Sequence, residues 1–190
     1  MKFYFDGCSH TWGAELAEPE VSRYSRLVSD HFGAEEYNIA ERGGSDKRVF
    51  RNLIETDLSK YDCVIVQLTC KTRTEFWSES LREWISVRSP SRDQNSHPSL
   101  NDYWKCVYTD KLGNMNQLTL YHAMRNVLKD KKHLIIGISG RGQILQAPVD
   151  INFTNFESKY SIKYKTAPAK HPSEEGHQQI AEEIIKCISI

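Results

Sequence analysis

Cys63-Val64-Ile65-Val66-Gln67-Leu68 is the stretch that decides the fold. A near-continuous apolar run of strand length predicts a strand covered on both faces, as in a parallel sheet, rather than one with a wetted side. Working upstream, residues 46–58 place Val49, Phe50, Leu53, Ile54 and Leu58 on one helical face, and residues 36–40 read as a brief strand running into Glu41-Arg42-Gly43-Gly44-Ser45. Residues 20–32 set Val21, Tyr24, Leu27, Val28 and Phe32 at helical spacing, and residues 2–5 form a first strand ended by the turn-prone Asp6-Gly7. Working downstream, Thr74 followed by the stripe Phe76, Trp77, Leu81, Trp84 and Ile85 predicts a helix, and residues 115–129 predict another. His133-Leu134-Ile135-Ile136-Gly137-Ile138 is a fourth strand, and residues 173–188 close the chain as an amphipathic helix carrying Ile180, Ala181, Ile184, Ile185 and Ile188. Strands alternating with helices give the α/β class: three layers, α/β/α, around a parallel sheet with right-handed crossovers.

The chain has 190 residues, the length of one ordinary domain with a core that needs no disulfide or metal staple. We therefore expect a single domain over residues 1–190, with a polar insertion at about 87–113 and a long connection at 140–170. Lysine plus arginine and aspartate plus glutamate each number 25, so no global field points to nucleic acid or an anionic membrane. The N-terminus is too short in apolar residues for a secretory signal, and no run reaches the roughly 18 residues of a membrane span. These features predict a soluble, cytoplasmic protein. Cys8, Cys63, Cys70, Cys106 and Cys187 are odd in number and form no C-x-x-C pair, which predicts free thiols rather than a disulfide frame or zinc cage.

In a doubly wound sheet ligands bind beyond the carboxyl ends of the strands, so chemistry belongs in the loops after strands one, two and three. The first of these, Gly7-Cys8-Ser9-His10-Thr11-Trp12-Gly13, projects a serine from a tight turn flanked by small residues. Ser9 is a candidate nucleophile, and its own backbone N–H a candidate oxyanion donor. Its base is sought in His171-Pro172-Ser173-Glu174-Glu175-Gly176-His177, just ahead of the last helix, where His171 can reach back over the strand ends. His171 and His177 alone make a poor zinc site, and no phosphate-binding glycine motif is present, so neither a metal nor a cofactor is expected.

These segments resemble the SGNH, or GDSL-like, hydrolases over most of the chain. The family's Gly-Asp-Ser block is similar to Gly7-Cys8-Ser9, with Cys8 in place of the acid. Its second block resembles Asn38-Ile39-Ala40-Glu41-Arg42-Gly43, and its Asp-x-x-His-Pro block resembles Pro168-Ala169-Lys170-His171-Pro172. The resemblance implies a flavodoxin-like sheet and a serine esterase acting on a small-molecule or glycan ester such as a carbohydrate O-acetyl group. It implies catalysis by Ser9 and His171, with Gly43 joining Ser9 in the oxyanion hole. The family's third block, Gly-x-Asn-Asp, is replaced by Gln67-Leu68-Thr69-Cys70-Lys71-Thr72-Arg73, leaving Lys71 or Arg73 as the substitute donor. Because Pro168 stands where the family has its acid, the second ring nitrogen of His171 is expected on a main-chain carbonyl or water, failing which Asp150 or Glu157 would supply a carboxylate. Tyr103, Trp104 and Tyr108 in the polar insertion suit stacking on a sugar face, with Trp104 the assigned contact. The competing function is a non-catalytic member of the same fold that binds a glycan or a protein.

Overall fold

The computed structural model describes residues 1–87, 103–139, 147–154, 162–168 and 171–188; of residues 104, 105 and 139 it describes the backbone alone. Six strands, β1 (Lys2–Asp6), β2 (Glu35–Asn38), β3 (Cys63–Leu68), β6 (His133–Ser139), β7 (Ile151–Thr154) and β8 (Ile162–Lys163), form one sheet in the order β2-β1-β3-β6-β7-β8. Every pairing in it is parallel. The strand order reverses between β1 and β3, so the loops leaving these two strands part and open a crevice at their carboxyl ends.

Alternate side chains send the two faces of the sheet into separate cores. Phe3, Phe5, Ile65, Ile136 and Phe153 pack under α3 (Tyr24–His31) and the last helix, α6 (Glu174–Ile188), against Val28, Ile180 and Ile184. On the other face Tyr4, Val64, Val66 and Leu68 meet Val49 and Leu53 of α4 (Asp46–Glu55) and Met124 and Leu128 of α5 (Asp110–Leu128). Complete burial of a side chain such as Phe5 or Ile65 contributes about 1.5–3 kcal/mol, enough to fix the register of a strand whose one-residue slip would exchange the two faces.

Three expectations from the sequence change. The helix read from Thr74 onward is instead the antiparallel hairpin β4 (Thr74–Ser78) and β5 (Glu83–Val87), with Trp77 opposite Trp84 and Phe76 opposite Ile85. An apolar stripe at 76, 77, 81, 84 and 85 fits a helical face as well as two paired strands. Tertiary partners choose the hairpin: the Trp77 and Trp84 rings meet edge to face at 5.7 Å, the Arg51 guanidinium lies over Trp84, and buried Glu75 takes Arg51 as an ion partner. The helix read over residues 20–32 is split into α2 (Pro19–Ser22) and α3 at Arg23, whose extended backbone lets its guanidinium bond both oxygens of buried Glu36 on β2 at 2.8 and 2.9 Å. The connection at 140–170 contributes β7 and β8, short strands that extend the sheet.

α5 begins at Asp110 rather than near residue 115, capped by Thr109, whose hydroxyl accepts the Leu112 N–H at 3.1 Å. Its Gly113 looked like a loop residue; a Cβ there would lie 2.5 Å from the Tyr108 hydroxyl, so glycine permits that ring to pack on the helix. Among the described residues no helix is long and apolar enough to cross a membrane.

Candidate active site

The turn after β1 is built around one buried polar side chain, Gln67, the single non-apolar residue of β3. Its Oε1 accepts the Cys8 N–H at 3.2 Å and the Thr11 hydroxyl at 2.7 Å, and its Nε2 lies 3.3 Å from the Cys8 sulfur. Thr11 also bonds the Tyr24 hydroxyl at 2.8 Å. Gly7 admits this packing, since a Cβ there would sit 2.8 Å from Gln67 Cβ. Asp6 closes the base of the turn: Oδ1 accepts from Gly7 N and Arg48, and Oδ2 from Asn52. The turn then becomes the four-residue helix α1 (Ser9–Trp12), ended by Gly13 at φ +90°.

Ser9, at the start of α1 and only 6 % exposed, points its hydroxyl at the loop before the last helix. Ser9 Oγ lies 3.0 Å from Nε2 of His171, across 162 residues of sequence. His171 is held there by a tight turn: Thr166 bridges Pro172, Ala167 N–H donates to the His171 carbonyl at 2.9 Å, and Ser173 N–H donates to Lys165 at 3.0 Å. Gly176 lets the first turn of α6 slide beneath this loop, where any Cβ would collide with the Lys165 carbonyl.

The other face of the histidine corrects the sequence expectation. His171 Nδ1 is held neither by a main-chain carbonyl nor by water but by the carboxylate of Glu15, at 2.8 Å, and the same oxygen accepts the His171 backbone N–H at 3.2 Å. Pro168, in the family's acid position, is exposed. Asp150 pairs with Arg125 and accepts the Ile135 N–H near the amino end of β6, away from the site, and Glu157 lies outside the described residues. Glu15 reaches His171 because the chain reverses after Gly13: Glu15 has φ +73°, a left-handed conformation that costs a non-glycine residue on the order of 1–2 kcal/mol. Nothing local in the sequence separates Glu15 from Glu18 or Glu20; its one sequence signal is that it follows the nucleophile turn within a few residues.

Burial lowers the pKa of His171 below its ordinary value, Glu15 opposes that shift and nearby His10 adds to it. The ring is therefore neutral at neutral pH, with Nδ1–H directed to the carboxylate and the Nε2 lone pair to Ser9. Burial would raise the Cys8 thiol, but His10, whose Nδ1 is 3.5 Å away, and Arg73 outweigh it and hold the thiol well below the usual range.

Gly43, at φ +84°, forms the turn after β2. Asn38 ties that turn to α1: its Oδ1 accepts Ala40 N–H at 2.9 Å, and its Nδ2 donates to the Thr11 carbonyl at 3.0 Å and to Ser25. Gly44 fits against the Gly7 carbonyl, which a Cβ would approach to 2.8 Å. Of the two cations proposed for the missing asparagine, the structure brings only Arg73 to this corner, where it faces the Cys8 sulfur and approaches the Gly44 carbonyl. Lys71 turns to α5, donating to Asn114 Oδ1 at 2.9 Å and pairing with Asp110 at 3.3 Å. Beside Arg73 a small cleft, with room for little more than a water molecule, is lined by Thr74, Tyr103, Tyr108 and Gln117. Trp104 sits on the π-helical turn Tyr103–Val107, and its side chain lies outside the described residues. The five cysteines are free thiols, and among the described residues no group of three or more His, Cys, Asp or Glu is arranged to hold a metal ion.

No family model matches the sequence, and no curated protein matches it. Solved structures do match. A catalytic mutant of an acetylxylan esterase from Geobacillus stearothermophilus aligns over 100% of this chain and 94% of its own, at 15% identity and a TM-score of 0.54. A member of the lipolytic G-D-S-L family from Veillonella parvula aligns over 100% and 98%, at 13% identity and a TM-score of 0.52. An α/β-hydrolase enzyme from the metagenome of Lake Arreo aligns over 99% and 94%, at 13% identity and a TM-score of 0.52. The fold is that of the SGNH hydrolases. In this SGNH-like fold the turns after β1 and β2, the loop after β3 and the loop before α6 meet at one end of the sheet, and here they carry Ser9, Gly43, Arg73 and His171 respectively.

Proposed function

We propose that this protein is a serine hydrolase that cleaves an O-acetyl or other short acyl ester of a sugar or small metabolite through an acyl-enzyme on Ser9. The observation that carries the reading is the 3.0 Å contact of Ser9 Oγ with His171 Nε2. In the acylation step His171 takes the Ser9 proton as Oγ attacks the ester carbonyl, then passes it to the departing alcohol. Water, deprotonated by the same nitrogen, releases the acid and restores Ser9. The backbone N–H groups of Ser9 and Gly43 are assigned to the oxyanion, with the Arg73 guanidinium taking the place of the missing asparagine as N–H donor and adding positive charge. The acetylxylan esterase among the structural neighbours favours a carbohydrate ester, and Tyr103 and Tyr108 near Arg73 are aromatic rings on which a sugar face could stack. The test is a fluorophosphonate probe: labelling should map to Ser9 by peptide mass and vanish in Ser9→Ala. An unlabelled wild-type protein that hydrolyses no aryl acetate sinks the reading and leaves a binding protein of the same fold.

A further inference from the structure

We propose that Glu15 is the carboxylate of a Ser9–Glu15–His171 triad, a positioning residue that holds the His171 ring by Nδ1 and supplies what Pro168 cannot. The inference rests on the serine-hydrolase reading of the same site and adds the source of its acid.

Three observations carry it. The first is geometric: one oxygen of Glu15 takes both the ring Nδ1–H at 2.8 Å and the backbone N–H of His171 at 3.2 Å, so ring and loop are fixed together. An ionised carboxylate accepts and never donates, so this contact sets the tautomer and leaves the Nε2 lone pair for Ser9. The second is the setting: Glu15 is an exposed residue, but its side chain and that of His171 turn toward each other and are only 23 % and 27 % exposed, so the pair is partly screened from solvent. The third is the backbone: Glu15 is held at φ +73°, where a non-glycine residue persists only if its surroundings enforce it, and such outliers cluster at functional sites. The buried acids near this end of the sheet are engaged elsewhere, Asp6 with Arg48 and Asn52, Asp46 with Thr69 N–H and Gln117.

The proton bookkeeping follows. The Ser9 proton moves to Nε2 as the O–C bond to the acyl carbon forms, the ring is briefly imidazolium, and Glu15 stays ionised and stabilises that charge. The ester's C–O bond to the alcohol then breaks as Nε2 hands the proton to that oxygen, and the alcohol leaves. A main-chain carbonyl would set the same tautomer without neutralising the imidazolium.

Among the described residues, the titratable groups acting on His171 are Glu15, His10 and Cys8, with His177 on α6 behind it. Of these, Glu15 and Cys8 raise its pKa and His10 lowers it. Removing Glu15 should therefore move the acid limb of the rate profile to lower pH while the plateau falls, a combination that general loosening does not produce.

The experiment uses the full chain with Glu15→Gln and Glu15→Gly. Glycine adopts φ +73° freely, so Glu15→Gly should keep or raise Tm and separates positioning from folding. Two readouts are taken from pH 4 to 9: the rate of labelling by a fluorophosphonate, and the ¹⁵N imidazole shifts of His171. Expected are labelling rates lower by about 10²- to 10⁴-fold in both variants, the acid limb displaced downward, and a His171 titration at lower pH with loss of the single Nδ1–H tautomer. If His171 titrates in Glu15→Gly as in the wild type, the proposal is overturned, whatever the labelling shows; labelling within threefold of wild type with an unmoved acid limb also overturns it. If wild type is never labelled yet its His171 shifts depend on Glu15, the positioning stands and the acyl-transfer reading falls instead.

Discussion

Gln67→Leu tests whether the single polar residue of the central strand exists to hold the nucleophile turn. The side chain has zero exposure and serves three partners: Cys8 N–H, the Thr11 hydroxyl and the Cys8 sulfur. Leucine fills similar volume, so packing changes little, and the cost is set by what loses its acceptor. Thr11 can turn its hydroxyl to Tyr24, 2.8 Å away, but the Cys8 N–H has no comparable substitute. One orphaned buried donor costs about 1–3 kcal/mol. For a chain of this length each kcal/mol lowers Tm by about 2–4 °C, so the expected loss is about 2–12 °C. In urea the midpoint should fall with the slope unchanged. Because Cys8 immediately precedes Ser9, the hydroxyl should also lose its aim at His171, and a misplacement near 1 Å costs about 10²-fold in rate. Fluorophosphonate labelling kinetics read the second effect. Thr11→Val leaves Cys8 N–H bonded but strips the buried Tyr24 hydroxyl of its partner, so it should lose comparable stability and clearly less labelling rate. A Gln67→Leu protein as stable and as reactive as wild type would refute the assignment of Gln67 as the anchor of the turn.

Arg73→Met should lower kcat for an aryl acetate by about 10²- to 10³-fold with KM little changed, because its charge is assigned to the transition state; Lys71→Met, whose amine turns to Asn114 and Asp110, should lose less than threefold. Equal effects, or the reverse order, would return the oxyanion role to Lys71. A different assay concerns His177, whose buried ring is pushed down to about 3, chiefly by burial, and whose Nδ1 accepts Tyr24 N–H. The unfolded chain takes up this proton below about pH 6.5 and the folded one does not, so stability falls as pH drops from 6.5 toward 4 by an amount on the order of 3 kcal/mol. In His177→Gln, whose amide oxygen can still accept from Tyr24, urea midpoints should be flatter over that window; an unchanged slope would exclude His177 as the source.

How much was legible follows from what each feature needs in order to form. The near-continuous apolar run at 63–68 and the periodic helix faces carry their own burial instructions, because the alternation of a strand and the 3.6-residue turn of a helix are properties of the backbone, readable within a short window. The α/β class, the sheet's central strand and the flanking helices at 46–55 and 174–188 are therefore in the sequence, and the motifs around Ser9 and His171 mark these two as candidates. The hairpin at 74–87 was not legible, because its aromatic stripe satisfies both periods and the choice belongs to Arg51 on another element. Between Lys71 and Arg73 the sequence offered two cations at nearly one position, and the side on which Asn114 and Asp110 fall separates them. Glu15 lies furthest from local reading. Its contact spans 156 residues and depends on a left-handed backbone, so no periodicity or propensity marks it. A buried strand is paid for by its own side chains, whereas a carboxylate on a histidine is defined by the meeting of two loops, and only the tertiary fold brings loops together.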